Sequence, residues 1–120
     1  MNTAIMIVRT GPTDPAREDE FNEWLTGQHI PDVLKIDGFG SARRFRASEV
    51  TFAPDDVPVS PAYLHIYELE SVGTEGDLRR LGDALMEAIQ SGAAAISDDL
   101  DVSVTTTHFY MPVGESIHSK

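Results

Sequence analysis

Residues 62–89, AYLHIYELESVGTEGDLRRLGDALMEAI, change their hydrophobic period halfway along. AYLHIYEL (62–69) gathers two tyrosines, Ile66 and two leucines into a short run with turn signals on either side, the mark of a β-strand. After it, Leu78, Leu81, Leu85, Ala88 and Ile89 recur at steps of three, four, three and one, the stripe of an amphipathic helix. Gly92 either caps that helix or interrupts it before Ala93–Ile96. Downstream, residues 101–111 (DVSVTTTHFYM) are rich in β-branched side chains and read as a closing strand. The second half of the chain is therefore a β-α-β unit.

The first half repeats the order without repeating the sequence. Residues 3–9 (TAIMIVR) form an apolar, β-branched run that reads as a buried strand. Gly11, Pro12, Asp14 and Pro15 punctuate a turn, with Asp14 and Pro15 suited to N-cap and first helical position. From Ala16 a helix puts Phe21, Trp24 and Leu25 on one face, with Gln28 or His29 a turn later. Pro31 is expected to end or kink it, with a short second turn over Asp32 to Lys35 that Asp32 would cap, the alternative being that Asp32 orients His29. Residues 39–47 (FGSARRFRA) read as the second strand, and the Pro- and Asp-bearing stretch 48–60 as a loop.

Parallel strands joined through a helix cross over right-handed. Two such units interleave into a ferredoxin-like α+β sandwich: βαββαβ, a four-stranded antiparallel sheet with both helices on one face. Residues 1–112 make one such domain and 113–120 a C-terminal tail. The strands are apolar at nearly every position (Ile5 to Val8; Leu64, Ile66, Tyr67 and Leu69), so both sheet faces read as buried. Two helices cover one face, and a second copy in a C2 homodimer is the simplest cover for the other.

A chain of 120 residues, 41% hydrophobic and 24% charged, has room for one core. It has no cysteine, which removes disulfides, thiolate nucleophiles and Cys-ligated zinc. Its net charge of −11 would repel a phosphate backbone, so no nucleic-acid partner is expected. No run approaches the ~18 apolar residues of a membrane helix, and residues 1–10 lack the features of a signal peptide. A cytoplasmic protein is expected.

FNEWLTGQHIPDVLKIDGFGSARRF (21–45) resembles the small dimeric α+β barrel proteins related to EthD and the antibiotic-biosynthesis monooxygenases. In these a helix carries a W…H-x-P pattern, followed by Gly-Phe and a strand ending in an Arg-aromatic pair. YLHIYELES resembles their third strand. The likeness covers most of the chain in element order and is specific over residues 21–45. It implies the fold and the dimer; the superfamily's chemistry is broad, spanning cofactor-free oxygenases, cyclases, isomerases and heme-handling enzymes.

In the resembling enzymes a histidine at the end of the first helix lines a pocket between helix and sheet, which implies His29 as the acid-base residue. The alternative is a helix-terminal histidine bonded to a local carbonyl. On the third strand Tyr63, His65, Tyr67 and Leu69 share one face by alternation. If that face looks toward the helices, His65 and Tyr67 join His29 around one cavity; if not, they belong to the dimer interface. Phe21, Trp24 and Arg44 are the candidate substrate contacts. Arg43 and Arg44 point to opposite faces, with Phe39, Arg43 and Phe45 together if no bulge intervenes, and one of the two suits a carboxylate or enolate. No HxH, HExxH or facial-triad spacing occurs, and there is no phosphate loop or nucleophile elbow, so neither metal nor cofactor is expected. The expected function is a cofactor-independent enzyme using a pocket histidine for proton transfer on a small apolar, aromatic or polyketide-like metabolite, of cyclase, isomerase, dehydratase or lyase type. The alternatives are a cofactor-free monooxygenase and a non-catalytic binding protein for a hydrophobic small molecule.

Overall fold

The computed structural model describes residues 3–120. Strand β1 (Ile5–Thr10) leads through a 3-10 turn (Pro15–Arg17) into helix α1 (Glu18–Trp24), a π turn (Leu25–His29) and helix α2 (Ile30–Val33). Strands β2 (Phe39–Arg46) and β3 (Tyr63–Leu69) follow, then helix α3 (Glu75–Ser91), a second 3-10 turn (Val102–Val104) and strand β4 (Thr106–Tyr110). The sheet order is β2-β3-β1-β4 with every pairing antiparallel, the ferredoxin-like α+β arrangement. No helix among the described residues is long and apolar enough to cross a membrane.

Local chemistry sets the helix ends. The Asp14 carboxylate accepts from the Ala16 amide at 2.9 Å, and Pro15 opens the first turn. Thr74 and Asp77 form a reciprocal capping box at the start of α3. Gly92, at φ 89°, closes that helix in the left-handed conformation, so it is a cap. Gly38 is also left-handed (φ 106°), and a Cβ there would stand 2.5 Å from Leu81 Cδ2, so β2 enters directly against α3.

Met6, Val8 and Thr10 of β1, and Tyr63, His65, Tyr67 and Leu69 of β3, point toward the helices and are buried. The opposite face carries Ile5, Ile7, Leu64 and Ile66, half-buried with no further layer over them.

Four expectations change. Pro31 does not end the first helix: the π turn runs straight into α2, with the Ile30 N–H donating to the Leu25 carbonyl, and Pro31 in that first turn forgoes only its own N–H bond. Asp32 makes no cap bond and meets Lys35 Nζ at 3.3 Å instead. A bulge at Gly40, where the register steps from Phe39↔Leu69 to Ser41↔Glu68, turns Phe39 to the helix side with Ala42 and Arg44. Arg43 and Phe45 are left on the open face. The final strand starts at Thr106, because the Asp101 side chain accepts from the Ser103 amide and winds residues 102–104 into a 3-10 turn.

Candidate functional site

A cavity of about 180 Å³ lies between the sheet and the helices. Met6 and Val8 of β1, His65 and Tyr67 of β3, and Thr107 of β4 form its floor. His29 and Val33 close one side, Leu85 and Ile89 of α3 the other, and Ile96, Leu100, Val102 and Thr105 complete the wall. A rigid cavity of roughly 150 Å³ takes benzene, so this one has room for one ring and a short substituent.

His29 reaches the wall because it lies four residues after the buried Leu25. The buried positions on this helical segment are Phe21, Leu25, His29, Ile30 and Val33. A spacing of five from Leu25 to Ile30 would swing Ile30 off the apolar face of a regular α-helix. The wider π turn absorbs the extra residue and keeps both His29 and Ile30 inward. Trp24 then stacks on His29, with ring centroids 4.8 Å apart and planes 26° from parallel.

The segment carrying Ile96 and Leu100 is pinned to the β1 end. Thr13 N donates to Asp99 O at 2.7 Å, Asp101 N to Gly11 O at 2.9 Å, and Arg17 pairs with Asp99. Below it the buried Thr10 hydroxyl meets that of Thr105 at 2.7 Å.

His29 Nδ1, His65 Nδ1 and the Tyr67 hydroxyl are buried and have no protein hydrogen-bond partner. Most buried polar atoms in folded proteins are paired, so three orphans around one cavity set this place apart; Arg44 Nε, a fourth among the described residues, lies outside its wall. Burial lowers the His29 pKa, while the Ala95 backbone and the Asp32 carboxylate pull the other way. His65 is held down to about 3, by burial first and then by the charges of Arg44 and His29. Burial pushes the Tyr67 phenol up. At neutral pH the polar wall is thus two neutral imidazoles and a protonated phenol.

The structure brings His29, His65 and Tyr67 together. It does not bring the three expected substrate contacts with them. Phe21 is fully buried in the core, edge-on to Tyr63 at 5.5 Å. Trp24 stacks on His29 and does not itself line the cavity. Arg44 is on the helix side but is held away from the cavity: its Nη atoms donate to Asn22 Oδ1 (2.8 Å), Thr26 Oγ1 (3.1 Å) and the Asn22 carbonyl (3.4 Å). It lies over the Phe21 and Tyr63 rings, and the Tyr63 hydroxyl donates to Glu18. His108 pairs with Ile7 on the open face, away from the cavity. Among the described residues no three His, Asp or Glu side chains gather as metal ligands. Sequence reasoning missed Ile96, Leu100, Thr105 and Thr107 as lining residues. It also missed Leu85 and Ile89, for which the clue was the α3 stripe continuing past the buried Leu78 and Leu81.

The depressed His65 pKa has a measurable consequence. Between pH 6.5 and about 3 the unfolded chain binds a proton at this residue that the native state refuses, so stability falls as pH falls through that window. From pH 7 to pH 5 the loss from His65 should be about 2 kcal/mol, at ~1.4 kcal/mol per unit below 6.5. Denaturant unfolding of wild type and His65→Leu at both pH values checks it: the variant should lose less by roughly that amount. Equal losses would mean that His65 is protonated in the native state.

No family model matches the chain, and no curated protein matches it. Several solved structures share its fold. An ethyl tert-butyl ether D (EthD) family protein from Bacillus halodurans superposes with a TM-score of 0.52 at 16% identity, covering 98% of this chain and 100% of that one. HapK from Hahella chejuensis gives 0.53 at 14% identity over 100% of both chains. A monooxygenase from the gene ActVA-Orf6 of Streptomyces coelicolor, solved with the ligand Nanaomycin D, gives 0.54 at 19% identity, covering 98% of this chain and 94% of that one. The chain shares the ferredoxin-like α+β fold of these proteins, and at such identities the likeness is one of fold.

Proposed function

We propose that the protein is a cytoplasmic, cofactor-independent enzyme that moves a proton on a small, largely apolar ring compound bound in this cavity, with His29 as the base. The observation that carries the reading is the grouping of His29, His65 and Tyr67, with three unpartnered buried polar atoms, around one otherwise apolar cavity. A histidine whose pKa lies below its usual value is in its basic form at neutral pH, ready to take a proton. Tyr67, kept protonated, donates a hydrogen bond to the substrate oxygen where negative charge develops, and the neutral His65 holds the same oxygen or its neighbour. Phe21, Trp24 and Arg44 support this site from behind.

Proton removal to an enolate or phenolate begins isomerisation, cyclisation and lyase chemistry alike. It also begins cofactor-free oxygenation, in which the substrate anion itself reduces oxygen; the monooxygenase among the structural neighbours favours keeping that second reading. The test is solvent exchange. Incubated in D2O with an aryl methyl ketone such as 4-hydroxyacetophenone, the protein should speed deuterium entry at the methyl carbon beside the carbonyl, seen by proton NMR. Exchange no faster than in buffer, with the ketone bound, would leave a binding protein instead.

The reading extends to assembly as a homodimer closed across the open sheet face. Ile5, Ile7, Leu64 and Ile66 support it, since one chain has no layer to cover them. Such an interface would bury about 2,000 Å² or more. Light scattering should give twice the 13.1 kDa chain mass, and Ile66→Asp should reduce it to the single chain. A wild-type monomer at micromolar concentration would refute the dimer.

A further inference from the structure

We infer that the cavity selects uncharged single-ring compounds that carry both a hydrogen-bond donor and an acceptor, and that it rejects carboxylates of the same shape. The inference rests on reading the cavity as a small-molecule site and adds the charge and size of what enters.

Size comes first. About 180 Å³ between a four-stranded sheet and α3 leaves room for one ring with a small substituent. Leu85 and Ile89 set that limit on the helix side.

Charge comes from the wall, which contains no Lys, Arg, Asp or Glu. An anion entering such a place loses its water and gains no counter-ion, a severe cost. Arg44 does not supply one by contact: it is not part of the wall, its Nη donors are turned to Asn22 and Thr26, and its Nε, though buried without a partner, belongs to a side chain outside the lining. A cation meets the same wall and finds no carboxylate there.

Donor and acceptor follow from the polar groups. A neutral imidazole has one nitrogen that donates and one that accepts, and a protonated phenol donates. With two histidines and Tyr67 in the wall, the complementary ligand offers an oxygen to receive a hydrogen bond and an N–H or O–H to give one. A phenol, a hydroxyketone or a carboxamide does both. A carboxylate has no donor and carries a charge.

The test pairs two ligands of nearly one shape. Benzamide and benzoate are titrated separately into the full chain near neutral pH, and the ring carbon-bound protons of His29 and His65 are followed by NMR. Benzamide should shift both histidines and bind about tenfold or more tightly than benzoate. Ile89→Phe, which fills the cavity from a half-buried helical position, should weaken benzamide binding while the chain stays folded. Benzoate binding as tightly as benzamide, with the same histidines moving, would overturn the charge selection and leave the site standing. Benzamide binding unchanged in Ile89→Phe would place the ligand elsewhere and overturn the assignment. If neither ligand moves His29 or His65 up to its solubility limit, the reading of the cavity as a small-molecule site falls, and the inference with it.

Discussion

Leu81→Asp should leave no folded protein at room temperature, while Glu87→Ala should melt with wild type. Leu81 is only 5% exposed and packs where β2 enters against α3, beside the left-handed Gly38. Removing a buried leucine side chain costs about 2–5 kcal/mol by itself. A carboxylate there has no water and no partner, which adds several kcal/mol more. A domain stable by about 5–15 kcal/mol in total does not absorb both terms. Glu87 lies on the exposed face of the same helix, where a substitution changes stability by within about 0.5 kcal/mol. Circular dichroism melts of the two variants check the phase of α3 directly. Equal midpoints would mean that the helix presents another face to the sheet.

That helix was legible because its period is local: the leucine stripe states the element, while its ends, the Thr74–Asp77 box and the Gly92 cap, came from the structure. The strand order was legible for a related reason, since β-α-β halves with right-handed crossovers leave few ways to arrange four strands. What escaped were single-residue irregularities that strict periods conceal. Alternation from Phe39 places Arg43 and Phe45 on its face, but Gly40 is a bulge and shifts the phase by one. Val102 and Val104 look like strand residues, and the Asp101 side chain bends them into a turn. In the first helix the jump from Leu25 to Ile30 was the one written sign of the π turn.

The site divided along the same line. His65 and Tyr67 follow from regular alternation on β3, and the structure places them on the helix side. His29 reaches the cavity because it lies four residues after the buried Leu25, and the helix continues past it through the π turn. Trp24, just before that turn, stacks on His29 and does not itself line the cavity. Arg44 reaches the expected face, but Asn22 and Thr26, both within α1 and the π turn, capture its donors first.

His29→Ala should lower the rate of ketone proton exchange by roughly 10²–10⁴-fold, the usual share of a positioned acid-base group. Wild type should lose activity as pH falls through the His29 pKa, which burial sets below the ordinary 6.5, and the variant should show no such acidic limb. Stability should change less than activity, though not negligibly, because His29 is buried and its stack on Trp24 is worth about 0.5–1.5 kcal/mol. His29→Phe separates the two effects: it keeps an aromatic ring against Trp24 and removes the base, so it should melt near wild type and remain inactive. Trp24 is the chain's one tryptophan, and it touches the imidazole in question. Its fluorescence should therefore titrate with His29 in wild type, with a midpoint below 6.5, and lose that transition in both variants. A midpoint above 6.5 would mean that Asp32 and the Ala95 backbone outweigh burial, making His29 an acid at neutral pH. Full exchange activity in His29→Phe would remove His29 from the chemistry and pass the base to His65, whose pKa near 3 makes it a far weaker one.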